Sequence, residues 1–176
     1  MLFRSSRGTA PRNGYGESLL VDPLTGLGTR RALLDELDGA VREGSASTLL
    51  VIFSLDGYDD YLTLFGSLAG QSLVAKLAAR LAGALGPDAH CYRPRQDEFA
   101  ALVQTPIDGV REILDAAVTA LRERDTTVTV SAAWGAAMLP EEASNPVEAL
   151  RVADTRLASN APRRKRRNRR SNPARS

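Results

Sequence analysis

One cysteine and one histidine occur in this 176-residue chain. Cys91 alone excludes an internal disulfide framework, and a reducing, cytoplasmic compartment is the expectation. His90 is its neighbour. Adjacent residues of a strand point to opposite faces, so the two are not joint metal ligands. Cys91 reads as a small buried apolar residue and His90 as an ordinary strand histidine. No apolar run approaches the ~20 residues that span a membrane. The start, MLFRSSRGTAPRNGYGE, carries arginines but no apolar h-region, so no secretory signal is expected.

The other conspicuous lack is of acid at the C-terminal end. From Pro162 onward there is none, against eight basic residues: Arg163, Arg164, Lys165, Arg166, Arg167, Arg169, Arg170 and Arg175. The chain as a whole holds 23 basic and 21 acidic residues, so the remainder has 15 basic against 21 acidic. This segregation marks a tail with chemistry of its own. It has no aromatic for base stacking and no apolar face for membrane insertion. Its basic residues suit salt-sensitive binding to nucleic acid or an anionic membrane, or a solubilising terminus.

What is present is ordinary for a globular domain: 43% hydrophobic and 25% charged residues. Residues 1–17 show no periodicity and read as a flexible arm, residues 18–161 as one domain, and residues 162–176 as a disordered basic tail. Thr29 is a candidate N-cap for a helix carrying Leu33, Leu34, Leu37 and Val41. STLLVIFSL, 47–55, has the length and composition of a buried central strand. DGYDDYLTLFG, 56–66, turns and starts a short helix. A second helix, 70–85, follows with Leu73, Leu77, Leu81 and Leu85 in a stripe.

CYRPRQDEFAALV then reads as a β-hairpin, with strands near 89–94 and 98–104 and a polar tip. A helix over 106–124 and an alternating strand over 126–139 come next, the latter directing Val128, Val130, Ala132 and Trp134 inward. A last helix follows Asn145-Pro146, a cap residue before proline at the first helical position. The expected order is α-β-α-α-β-β-α-β-α, an α/β (α+β) domain with a mixed sheet flanked by helices.

Four stretches together resemble the GGDEF domains of bacterial diguanylate cyclases. DPLTGLGTRRAL is similar to their D-x-L-T-G-L-x-N-R-R opening, and RPRQDEFAAL to R-x-G-G-[DE]-E-F. VTVSAAWGAA is similar to the V-T-x-S-x-G strand, and VEALRVADTRL to the A-D-x-A-L helix. The anchors keep their order from about residue 20 to 160. The resemblance implies a nucleotidyl-cyclase, palm-like mixed sheet carrying the hairpin signature. It also implies an activity, the joining of two GTP molecules into cyclic di-GMP by two facing domains with divalent ions.

Position by position, the implied site is eroded. The metal-binding Asp falls on Ser54, an uncharged and poor ligand for Mg²⁺. The guanine-reading Asn falls on Leu62, the Asp after it on Thr63, and the later guanine-contacting Asp on Gln71. The closing Lys falls at Ala161, and the inhibitory R-x-x-D would run from Gly86 to Ala89, without match. In the signature Asp97, Glu98 and Phe99 persist, but the glycine pair has become Arg95-Gln96. Two long side chains there stand where a bare turn would admit phosphates.

Asp56, two residues from Ser54, is the one candidate replacement ligand. Asp59 and Asp60 suit a solvated helix N-terminus. Arg30 and Arg31 are expected in salt bridges, Asp154 in a structural hydrogen bond and Trp134 in the core.

The expectation is a catalytically inactive, regulatory GGDEF-domain protein in cyclic di-GMP signalling. Its partner would be a protein: another GGDEF or EAL-type domain, or a second copy of itself. No cofactor is expected, with Mg²⁺ only if a nucleotide binds. One alternative is a divergent site that still turns over GTP or binds GTP or cyclic di-GMP. The other is binding of nucleic acid or anionic membrane through the tail.

Overall fold

The computed structural model describes residues 20–43 and 47–161. The arm over 1–17 and the tail over 162–176 lie outside the described residues. A turn leads into β1 (Gly28–Thr29) and α1 (Arg30–Glu43), then β2 (Thr48–Asp56) and α2 (Tyr58–Leu85). The hairpin is β3 (Ala89–Arg95) and β4 (Glu98–Gln104). A 3₁₀ turn (Ile107–Gly109), α3 (Val110–Ala120), β5 (Glu123–Arg124), β6 (Thr129–Leu139) and α4 (Pro146–Asn160) complete the order.

The strands form one sheet in the order β1-β3-β4-β2-β6-β5. β2 lies between β4 and β6, antiparallel to both, and β1 pairs parallel with β3, so the sheet is mixed as expected. β2 is buried throughout except at Asp56, and its alternation divides the core. Leu49, Val51, Phe53 and Leu55 meet Leu73, Val74, Leu77 and Leu81 of α2 and Leu114 and Ala117 of α3. Leu50 and Ile52 meet Leu33 and Leu37 of α1 and Ala149, Ala153 and Leu157 of α4. Helices thus cover both faces of the sheet.

Caps behave as the sequence suggests. Thr29 Oγ1 accepts from Ala32 N at 3.4 Å, and Asn145 Oδ1 accepts from Glu148 N at 2.9 Å with Pro146 at the first helical position.

Several expectations need correction. The two helices expected over 56–85 do form, but with no loop between them: they meet in one run at Gly66, whose backbone (φ +82°, ψ 171°) is not helical. That run is long and apolar enough by composition to cross a membrane, against the expectation that no stretch is, although its inner face packs on the sheet as a core helix does. The helix expected over 106–124 is shorter, because residues 123–124 pair with 129–130 as β5 and β6; the strand expected from 126 accordingly starts at Thr129.

Trp134 packs against the core but is only half-buried, lining a groove with Ile107, Val110 and Leu114. Cys91 is also half-buried. Asp154 is exposed; the anchoring on α4 comes from Arg156, which donates to Glu142 and to Ala136 O. Arg31 faces Asp35 at a loose 3.9 Å.

Candidate functional site

The sheet fixes the site from β2 outward. Ser54 is 2% exposed and stands in register with Glu98 on β4 and Ala133 on β6. Directly opposed residues of antiparallel strands hold their Cβ atoms about 5 Å apart. Glu98, 5% exposed, is thus the immediate neighbour of the Ser54 hydroxyl. Arg95 and Glu98 are the last paired residues of the hairpin, and Gln96-Asp97 close the turn. The Arg95 guanidinium lies 3.4 Å from Glu98 Oε1. Leu55 N donates to Asp97 O at 2.9 Å, which folds the turn against the end of β2.

A second arginine holds this turn from behind. Arg93 Nη2 donates to Gln96 O at 2.9 Å, and Nη1 lies 3.2 Å from Asp22 Oδ2. Asp22 in turn accepts from the backbone and hydroxyl of Thr25, at 3.1 and 2.6 Å. Burial alone would raise the Asp22 carboxyl; the hydrogen bonds from Thr25 and Arg93 outweigh it and hold it below the usual carboxylate range. Both residues belong to quoted motifs, the D of DPLTGL and the R of RPRQDEF. No local pattern signals that they bind each other, because 71 positions separate them.

At the position where the resemblance places a guanine-reading Asn, α2 carries Leu62. Leu62 packs so closely on Gly70 that a Cβ added at Gly70 would lie 2.2 Å from Leu62 Cδ2 and 3.2 Å from the Tyr58 hydroxyl. Gln71 is exposed, as are Asp59 and Asp60, while Asp56 is partly buried at the end of β2. Burial raises the Tyr58 hydroxyl; the charge of Arg93 opposes this and that of Asp97 adds to it.

The described residues around Ser54 bring few oxygen ligands together for a divalent metal. The first carboxylate position offers a hydroxyl, and Glu98 is ion-paired with Arg95. Among the described residues no group of three or more His, Cys, Asp or Glu side chains converges. A hard cation such as Mg²⁺ requires several oxygen ligands in octahedral array. Asp97 lies in the hairpin turn and Asp56 at the end of β2.

A polar cluster behind the hairpin was likewise not legible from any local pattern. Glu36 of α1 takes His90 Nδ1 on one carboxylate oxygen and the Tyr92 hydroxyl on the other. Burial and the Glu36 carboxylate push the Tyr92 hydroxyl well above its ordinary range. His90 and Tyr92 share this face by strand alternation, with Cys91 on the other.

A palm of this topology, with the signature on a β3–β4 hairpin beside a central β2, defines the class. The family described as "Diguanylate cyclase, GGDEF domain" matches residues 19–169, and the chain belongs to it.

Among known proteins, the chain is 26% identical over 142 residues to the cyclic di-GMP phosphodiesterase PdeR of Escherichia coli K12. That match takes in 77% of this chain but 22% of PdeR. Two solved structures from Pseudomonas aeruginosa share the fold. One is the diguanylate cyclase SiaD in complex with its activator SiaC, with a TM-score of 0.72 and 23% identity, covering 83% of this chain and 59% of that one. The other is the GGDEF domain of PA1120 (TpbB or YfiN), with a TM-score of 0.71 and 25% identity, covering 80% and 87%. The chain thus spans about a fifth of the curated relative and a little over half of the first of these structures.

Proposed function

We propose that this chain is a non-catalytic GGDEF domain that acts in cyclic di-GMP signalling by binding another protein. The observation that carries the reading is Leu62, packed on Gly70 where the family reads guanine. A leucine offers no hydrogen bond, so guanine groups placed against it would lose their water without replacement, at about 1–3 kcal/mol each. Ser54 and the Arg95–Glu98 pair add to this by removing the charge that would hold Mg²⁺ and phosphate. No cofactor belongs to the reading. Mg²⁺ would accompany a nucleotide only in the alternative, where the chain still binds GTP or cyclic di-GMP.

The partner is a protein, by this reading another GGDEF or EAL-type domain or a second copy. The complex of SiaD with SiaC is an instance of this domain type in a protein assembly. A cytoplasmic location goes with the same reading. Binding of nucleic acid or anionic membrane through residues 163–170 rests on their charge alone, and no described residue favours it.

The test is calorimetric titration of the full chain with a non-hydrolysable GTP analogue and Mg²⁺, and separately with cyclic di-GMP. Absence of saturable heat up to millimolar ligand is the expected outcome. Micromolar binding of the GTP analogue would overturn the reading and make turnover the next assay; micromolar binding of cyclic di-GMP would make the chain a nucleotide sensor.

A further inference from the structure

The least protected apolar surface of the domain is the bend of α2. Leu64 is 54% exposed, Phe65 42% and Leu68 79%, around the left-handed Gly66. Single exposed apolar side chains are ordinary, but three within five residues form a patch of the kind that marks a contact surface. Tyr61 stacks on Phe65 with ring centroids 4.7 Å apart and widens it. Asp59 and Asp60 border the patch one turn earlier, Asp60 and Leu64 lying four residues apart on one helix face. The surface is therefore apolar with an acidic rim. Its complement is a segment with large apolar side chains flanked by cations.

We infer that this patch is a docking surface for the N-terminal arm of the same chain, Met1-Leu2-Phe3-Arg4 being the segment seated on it. The arm carries Leu2 and Phe3 beside Arg4, with Arg7 and Arg12 beyond and no acid before Glu17. The C-terminal segment matches the rim in charge but has no large apolar residue to set against Leu64, Phe65 and Leu68.

The route into the fold agrees. β1 runs parallel to β3, toward the hairpin turn, and Val21 bridges Gly28 in the antiparallel sense. Thr29 N donates to Leu20 O at 2.9 Å. The chain therefore runs away from the turn as it passes Leu20, so the described domain begins on the turn side. α2 starts at that same end, where Leu55 N donates to Asp97 O. β1 and β2 are three strand spacings apart, about 14 Å, whereas sixteen residues extend to as much as ~50 Å. A tether of that length holds the segment at roughly millimolar effective concentration, so a weak contact suffices. The inference holds whether or not the neighbouring pocket takes a nucleotide.

The experiment uses the full chain with Ser6→Cys carrying a nitroxide. Cys91, a half-buried free thiol, is replaced by alanine in every chain so that position 6 carries the only label. The expected result is loss of the amide cross-peaks of Leu64, Phe65 and Leu68 with the label oxidised and their return on reduction. The loss should disappear in Leu68→Asp. It should disappear equally in Leu2→Ser/Phe3→Ser, whose changes lie outside the described residues. Unperturbed cross-peaks at these residues would overturn the proposal. So would a loss that survives Leu2→Ser/Phe3→Ser. A loss that appears when labelled chain is mixed with isotope-enriched, unlabelled chain would assign the contact to a second copy and overturn docking in cis.

Discussion

Ser54 and Glu98 show how a single replacement changes what its neighbours can be. With a hydroxyl at 54, Glu98 is the one carboxylate of the pair, and it is buried with Arg95 at hand. Restoring an aspartate would put a second carboxylate about 5 Å from the first, at a position 2% exposed. Two like charges there cannot both ionise cheaply. Ser54→Asp is expected to destabilise the fold by about 2–4 kcal/mol in urea unfolding at pH 7. It is not expected to confer GTP turnover by itself, since Leu62 and Arg95 remain; turnover by the single variant would contradict this account.

The identities of Ser54, Leu62 and Arg95 were legible in the sequence because motif spacing assigns positions. The packing of Leu62 on Gly70 was not, nor was the grip of Arg93 on Asp22. Both depend on side-chain contacts that only the folded chain creates.

Among the elements, the long ones were legible and the short ones were not. β2, α1 and α4 carry periodicity over nine or more residues and stand where the sequence puts them. β1 and β5 have two residues each, too few for a pattern, and exist because β3 and β6 offer them backbone partners. The bend in α2 was half-read. A short helix beginning within 56–66 and a second over 70–85 are both expected, and they meet without a loop at Gly66, whose backbone is not helical. An alanine there has open space around its Cβ, so its cost is conformational, about 1–3 kcal/mol for a residue at φ +82° and ψ 171°, a region that essentially only glycine adopts. Gly66→Ala is expected to lower stability by that amount or to straighten the helix. Amide exchange of residues 60–70 should distinguish these: faster throughout for the first, slower for the second.

For the molecule as a whole, acid is the condition that tests the most contacts at once. The Glu142 carboxyl is held down to about 2, chiefly by its hydrogen bonds from Arg156 and against the opposing effect of burial, with the Met138 amide adding to the lowering. Asp22 and Glu123 are also lowered, Glu123 chiefly by Lys76 and, with burial opposing, by Arg80. Groups whose folded pKa is depressed contribute stability that is complete above their unfolded values and lost as pH falls through the folded ones. Stability should therefore decline from about pH 5 toward pH 2. Glu142→Gln should flatten that limb while lowering the plateau at pH 7, as read by urea midpoints at pH 3, 4 and 7. An unchanged slope would remove Glu142 from the account.

The side chains along β6 have a consequence for how copies of this protein meet at high concentration. β5 covers only the first two residues of that strand. Further along, Asn160 donates to Trp134 O, Arg156 donates to Ala136 O, and Glu142 accepts from Met138 N and donates its own amide to Met138 O. These groups occupy the backbone positions through which a stray strand would add to the sheet. Without them the domain would present a bare edge to every other copy, the usual starting point for fibrous aggregation. Three polar side chains thus act as a seal, and the solubility of a concentrated solution depends on contacts that contribute only modestly to the stability of one molecule.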